Sequence, residues 1–212
     1  MISLSAPLIN PVVLLANGEF PVHPLPKYLL DNSRTIICTD GATDKLIKYG
    51  LEPTVTIGDF DSTNLLEHKT AGLWVPAPDQ NRTDLQKALE WCMNNNISDV
   101  TILGAGGIRE DHTIGNLHIM ADYREKLYLK MVTNHATITC EHDKKTISSQ
   151  PGQEISIIAI YPVESITVSN LKYPMVNKKL LPSSRAICNE ALSHEFSLDT
   201  SDPIWLFMNH PD

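Results

Sequence analysis

Short apolar runs punctuate the first two-thirds of the chain. They cover Val12–Ala16, Thr35–Thr39, Thr54–Ile57, Leu73–Val75, Val100–Leu103 and Leu127–Val132. Runs this short and this uniformly apolar predict strands covered on both faces. Between them the spacing becomes helical. From Thr83 to Met93, the residues Leu85, Ala88, Leu89 and Cys92 fall on one stripe, the 3.6-residue period of an amphipathic helix. That segment opens with Thr83-x-x-Gln86, a capping-box pattern. The stretch Gly41–Tyr49 is bracketed by Asp40 and Gly50, which reads as N-cap and C-cap. Asp111 precedes a further helical pattern carried by Ile114, Leu117, Met120 and Ala121. Strands alternating with helices predict an α/β domain built on a mainly parallel sheet.

After about residue 134 the pattern changes. Ala136–Cys140, Thr146–Ser148, Glu154–Ile160, Ser165–Val168, Ala186–Cys188, Glu195–Leu198 and Ile204–Met208 are short and often alternate apolar with polar. Turn-rich pieces such as Gln150-Pro151-Gly152 separate them, and no helical pattern of useful length appears. This predicts a small all-β domain of antiparallel strands, a sandwich or half-barrel. The expected division is therefore 1–134, α/β, and 135–212, all-β.

Composition narrows the function. The chain has 212 residues, with 17 Lys+Arg against 25 Asp+Glu and a net charge of −8. Neutralising nucleic-acid phosphates needs clustered cations, so this balance disfavours a nucleic-acid partner. No run reaches the roughly 18 to 20 apolar residues needed to span a bilayer. No basic stretch precedes the Val12–Ala16 run, so a signal peptide is not expected. Cys38, Cys92, Cys140 and Cys188 lie far apart with no CxxC pair. Free thiols and a cytoplasmic location are the expectation.

The excess charge is spread over both parts, with 11 basic and 16 acidic residues up to 134 and 6 and 9 after it. Its placement is more informative. Asp40 directly follows the strand Thr35–Thr39. Gly58-Asp59-Phe60-Asp61-Ser62 follows Thr54–Ile57, and Gly104-Ala105-Gly106-Gly107-Ile108-Arg109-Glu110-Asp111-His112 follows Val100–Leu103. Ligands of open parallel sheets bind beyond the carboxyl ends of the strands. Two carboxylates about 4 Å apart repel by roughly 4 kcal/mol at an effective dielectric near 20. Asp59 and Asp61 therefore call for a cation, and a hard divalent ion such as Mg²⁺ takes carboxylate and phosphate oxygens. Each aspartate also has a plainer role. Asp40 and Asp111 could serve as helix caps, and Asp84 suits the positive end of a helix dipole. Arg109 beside a glycine run could grip phosphate in bidentate fashion. The run itself is neither GxxxxGK[ST] nor GxGxxG. His112 and His118 lie six apart, the wrong spacing for a shared zinc ion, and no G-x-S-x-G elbow occurs.

Taken in order, these pieces resemble the thiamine pyrophosphokinase (thiamine diphosphokinase) family. The resemblance rests on TDGATDKL at 39–46, TIGDFDST at 56–63, APDQNRTDLQKALEW at 77–91 and LGAGGIREDHTIGN at 103–116, and then on NLKYPMVNKKL at 170–180 and CNEALS at 188–193. It implies an α/β catalytic domain that binds ATP and magnesium, a β-sandwich domain that binds thiamine, and a homodimer with the active site near the subunit interface. The implied reaction moves the pyrophosphoryl group of ATP to the hydroxyethyl oxygen of thiamine, giving thiamine diphosphate and AMP. By the same resemblance Asp59, Asp61 and Asp84 hold the metal, while Asp40, Asp84, Arg109 and Asp111 serve the chemistry. Gln80, Thr83, Gly107, Arg109 and His112 are expected to contact nucleotide or phosphates. Tyr173, Cys188 and Asn189 fall in the thiamine-pocket region. Five aspartates are thus expected to converge on one site. Either Asp111 or Asp84 could accept the hydroxyl proton. Two positions depart from the family pattern: Ala42 stands where a second glycine is usual, and Cys188 where serine is usual. Two other readings stay open, a pyrophosphokinase for another small alcohol such as a pterin, and a non-catalytic thiamine- or nucleotide-binding module.

Overall fold

The computed structural model describes residues 8–59 and 72–211. The chain divides into two compact units, Met1–Asn134 and His135–Asp212.

The first unit alternates strands and helices. Its strands are β1 (Val12–Leu15), β2 (Thr35–Thr39), β3 (Val55–Gly58), β4 (Leu73–Pro76), β5 (Asp99–Leu103) and β6 (Tyr128–Val132). Its helices are α1 (Pro24–Asp31), α2 (Asp40–Tyr49), α3 (Asp84–Asn94) and α4 (Glu110–Tyr123). All strand pairs are parallel, in the order β6-β5-β1-β2-β3-β4. β1, β2 and β3 are buried along their whole length, which accounts for their unbroken apolar sequences. Leu30 of α1 and Ala42 and Leu46 of α2 pack on Val13, Leu15, Ile36, Cys38 and Leu103. α3 lies against β2 and β3. Because β1 pairs with both β2 and β5, chain direction across the sheet reverses at β1/β5. That reversal opens a crevice at the carboxyl ends of these two strands.

The second unit contains two antiparallel sheets. One has the order β12-β9-β14-β7, from Asn189–Glu190, Glu154–Ala159, Ile204–Asn209 and Ala136–Glu141. The other has the order β11-β10-β13-β8, from Met175–Leu180, Val163–Ser169, Glu195–Thr200 and Lys145–Ser148. Ile155, Ile157 and Leu206 of the first sheet share a core with Ile166, Val168, Phe196 and Leu198 of the second. This is a β-sandwich, each sheet turning alternate residues inward. Among the described residues, no helix is long and apolar enough to cross a membrane.

The fold class is the expected one, with local corrections. α1 does not stand out in sequence because PLPKYLLD carries two prolines. Pro24 occupies the first helical position, where its missing N–H costs nothing. β11 is exposed through Val176–Lys179 and does not alternate. The strand expected at Ala186–Cys188 is a turn; Cys188 sits at φ +56, and pairing begins only at Asn189. Asp40 is not an N-cap. Thr39 takes that place and Asp40 is the first helical residue. Asp111 likewise lies inside the first turn of α4, with Arg109 at the N-cap.

Candidate active site

The strand ends of the first unit surround a cleft of about 790 Å³. Its floor is built by close backbone contact between the loops after β1 and β5. Ala16 N donates to Leu103 O (2.9 Å), Gly18 N to Gly104 O (2.6 Å) and Glu19 N to Gly106 O (2.8 Å). A side chain on Gly18 would collide with the carbonyls of Gly104 and Gly106, and Gly104 and Gly107 hold φ of +66 and +89. These glycines are required by backbone approach and left-handed geometry. Asn116 Nδ2 ties the loop to α4 through Ala105 O at 2.8 Å. Along α4, His112 and Gly115 face the cleft. A Cβ at Gly115 would meet nothing within 4 Å, so this glycine leaves that wall low.

Among the described residues, the candidate carboxylates take up different places around the cleft. Asp59, at the end of β3, lines the cleft and accepts a 2.8 Å bond from Gln80 Nε2. Asp84 lines it from the first turn of α3, where the expected capping box is present. Thr83 Oγ1 accepts from Gln86 N (3.3 Å), and Gln86 Oε1 accepts from Thr83 N (3.0 Å). Asp111 lines the opposite wall and takes a bidentate pair from Arg109, at 3.1 Å to Nε and 2.6 Å to Nη2. The Arg109 bond, aided by the His112 amide, holds the Asp111 carboxyl below its ordinary range. Asp40 lies beneath the cleft rather than on its wall. It is 2 % exposed, its Oδ1 accepts from Gly41 N at 2.6 Å, and its carboxylate fills the space a Cβ on Gly58 would need. Gly107 shapes the loop but is not on the cleft wall. Asp61 lies outside the described residues. Among the described residues, no three His, Cys, Asp or Glu side chains are grouped closely enough to hold an ion by themselves.

Sequence reasoning passed over several groups on the same wall. Lys45 reaches the cleft with Nζ bonded to Asn17 O (3.0 Å) and Gly18 O (2.8 Å); burial lowers its pKa. Lys87 lines the cleft with its side chain 5 % exposed and its Nζ 3.1 Å from Asp84 Oδ1. Thr39 presents a buried hydroxyl with no hydrogen-bond partner among the described residues. Signals for them existed. Asn17-Gly18 follows β1 as Asp40 follows β2, and Lys87 stands three residues after Asp84, the spacing of neighbours on a helix.

The remaining expected residues belong to the second unit. Tyr173 and Asn189 are clasped together. Asn189 Oδ1 accepts from Tyr173 N (3.0 Å) and Glu190 N (2.9 Å), and its Nδ2 donates to Tyr173 O (2.8 Å). Asn189 is 5 % exposed, whereas the Tyr173 ring is largely free at 63 %. The adjacent Cys188 is exposed, its amide donating to Ser156 Oγ at 3.0 Å.

The family model described as thiamin pyrophosphokinase, catalytic domain, matches residues 26–132. The chain belongs to the thiamine pyrophosphokinase family. A second model, thiamin pyrophosphokinase, vitamin B1 binding domain, matches residues 135–205. The thiamine pyrophosphokinase of Bacillus subtilis is 25% identical, over 94% of this chain and 98% of its own. Thiamin pyrophosphokinase 1 of Caenorhabditis elegans is 29% identical, over 80% and 76%. The crystal structure of the Bacillus subtilis protein superposes with a TM-score of 0.80 at 23% identity, covering 95% of this chain and 99% of that one; at that identity it supports the fold alone. These matches do not favour an enzyme for another alcohol or a non-catalytic module. Of the two departures from the family pattern, Ala42 is accommodated: it is fully buried inside α2, where helical φ suits alanine. No disulfide joins the four cysteines. Burial pushes the thiols of Cys38 and Cys92 up to about 12, so both stay protonated and unreactive.

Proposed function

We propose that this chain transfers the pyrophosphoryl group of ATP to the hydroxyethyl oxygen of thiamine, with the ATP phosphates lying in the cleft of the first unit. One arrangement supports the cleft above all. At the β1/β5 crevice, backbone turns, the Thr39 hydroxyl, without a hydrogen-bond partner among the described residues, and the cations Lys45, Lys87 and Arg109 line one cleft with Asp59 and Asp84. Carboxylates alone would repel a polyphosphate. Carboxylates interleaved with cations suit a polyphosphate that brings its own metal.

The donor set fits Mg²⁺. Asp59 and Asp84 supply hard oxygen ligands, and such an ion completes its shell with phosphate oxygens and water. Asp61 would join them by resemblance. When bound, the ion neutralises phosphate charge. The chain's own residues do the rest. Gln80 orients Asp59 through their 2.8 Å bond. The buried Asp40 fixes the turn at Gly58–Asp59 from below. Thr83 starts α3 so that Asp84 faces the cleft. Arg109 is the cation for phosphoryl oxygens on the α4 side, steered by Asp111, and His112 stands beside them. Positioning and charge stabilisation dominate phosphoryl transfer, so little is asked of a base. Asp111, held ionised by Arg109, is in accepting form at neutral pH.

Tyr173, Cys188 and Asn189 form the thiamine side of this reading. The thiazolium is a cation, and the exposed Tyr173 ring offers a cation–π face. Exposed apolar side chains on the same unit, among them Val176 at 70 % and Leu181 at 62 %, suit a homodimer interface. A cytoplasmic enzyme drawing on cellular ATP completes the proposal. The test is a single incubation with ATP, Mg²⁺ and thiamine, read by mass. Thiamine diphosphate and AMP in equal amounts are expected. ADP with thiamine monophosphate, or no thiamine product, would refute it.

A further inference from the structure

Lys87 lines the cleft with its side chain only 5 % exposed. A lysine is almost never this buried unless paired. It stands near the amino-terminal end of α3, which does not favour a cation, so its anionic partner is what holds it there. Its contact is Asp84, at 3.1 Å. Asp79, in the loop before α3, also feels its charge, though the Asn81 amide is the larger influence on that carboxyl.

The Lys87–Asp84 pair is asymmetric. The Asp84 side chain is 45 % exposed and the Lys87 side chain 5 %. Asp84 can leave the pair and remain solvated or bind a cation. Lys87 cannot be left behind without another anion, because a buried charge that loses its partner is strongly disfavoured. We infer that Lys87 is an exchange cation: it holds Asp84 until a phosphate oxygen replaces the carboxylate, and Asp84 is thereby released to the divalent ion. Metal and polyphosphate then bind with positive coupling, each raising the affinity of the other, as linkage requires. The inference rests on the proposed function in taking the cleft as the phosphate site and Asp84 as a metal ligand.

The test compares wild type with Lys87→Met by calorimetric titration. The probes are Mn²⁺ alone and the α,β-methylene analogue of ATP, with and without Mn²⁺. Freed from its ammonium, Asp84 should bind Mn²⁺ alone about two- to fivefold more tightly in the variant, the range of one partly exposed ion pair. The analogue with Mn²⁺ should bind about tenfold more weakly, the loss of one charge-assisted hydrogen bond. A structural lysine would weaken both or neither, so the opposite signs are diagnostic. Metal affinity unchanged or reduced in the variant, or unchanged nucleotide affinity, overturns the inference. If Lys87→Met does not fold, Lys87→Gln is read the same way. Product analysis on wild type runs alongside. Absence of AMP there counts against the reaction, while the titrations judge Lys87 independently.

Discussion

The two units place their candidate residues by different physics. In the first, position comes from strand ends. A buried parallel strand delivers the next residue to one edge of the sheet, and Asp40, Asp59 and the Gly104–Gly107 loop all arrive that way. In the second, position comes from a side chain gripping backbone. Asn189 bonds both the N–H and the carbonyl of Tyr173 and so joins two segments 16 residues apart. The first arrangement survives loss of a single side chain, because the sheet still sets the geometry. In the second the amide adds to backbone bonds between the same segments, Lys172 N to Glu190 O and Leu192 N to Asn170 O (both 2.9 Å), but it alone holds the Tyr173 backbone on both sides. Loss of function without loss of fold is therefore expected in the first unit, and the two losses together in the second.

The largest expected effect is Asp59→Asn. Turnover should fall about a hundredfold or more, the scale of a removed electrostatic group in an active site, while the melting temperature stays near that of wild type. Unfolding of this variant would erase the contrast between the units. Next comes Arg109→Ala, with about a tenfold or greater fall in kcat/KM for ATP. Arg109 holds the Asp111 carboxyl below its ordinary range. Removing the guanidinium lets that pKa rise, so acid loss of activity should begin at a higher pH; a pH–rate profile checks the direction. In the second unit, Asn189→Ala should cost about 2 kcal/mol in a denaturant titration, since it strips partly buried backbone groups of their partners. It should raise the KM for thiamine and leave the KM for ATP unchanged. The smallest effect belongs to Cys188→Ser. A hydroxyl is the better donor, so the KM for thiamine should fall by about threefold or less, the worth of one modest hydrogen bond.

Legibility followed the same divide. Strand ends were readable because short apolar runs mark where each strand stops, and the capping box marked α3 to the residue. Lys87 and Lys45 were only hinted at, because a lysine in a helical pattern looks like solvated surface; the fold shows that one is buried against Asp84 and the other bonded to two carbonyls. Of the five aspartates expected to converge, Asp40 is the one the described residues place off the cleft wall. Asp40 and Asp59 are one step apart in the sheet, yet the first turns under Gly58 and the second faces the cleft. Which way a carboxylate turns depends on the neighbouring glycine's missing side chain, and linear spacing does not encode that. α1 escaped notice because its prolines read as breakers, although proline is at home in a first turn. In the second unit, the Asn189 clasp joins residues 16 apart, with β11 between them, and has no periodic signature.

The central claim is that a cleft in the first unit moves two phosphates as one group. ATP radiolabelled at the α-phosphate and, separately, at the β-phosphate tests it most directly in the presence of Mg²⁺ and thiamine. The β label should appear in thiamine diphosphate and the α label in AMP, with both transfers abolished in Asp59→Asn. An α label in the thiamine product, a β label retained in ADP, or full transfer by Asp59→Asn would contradict it.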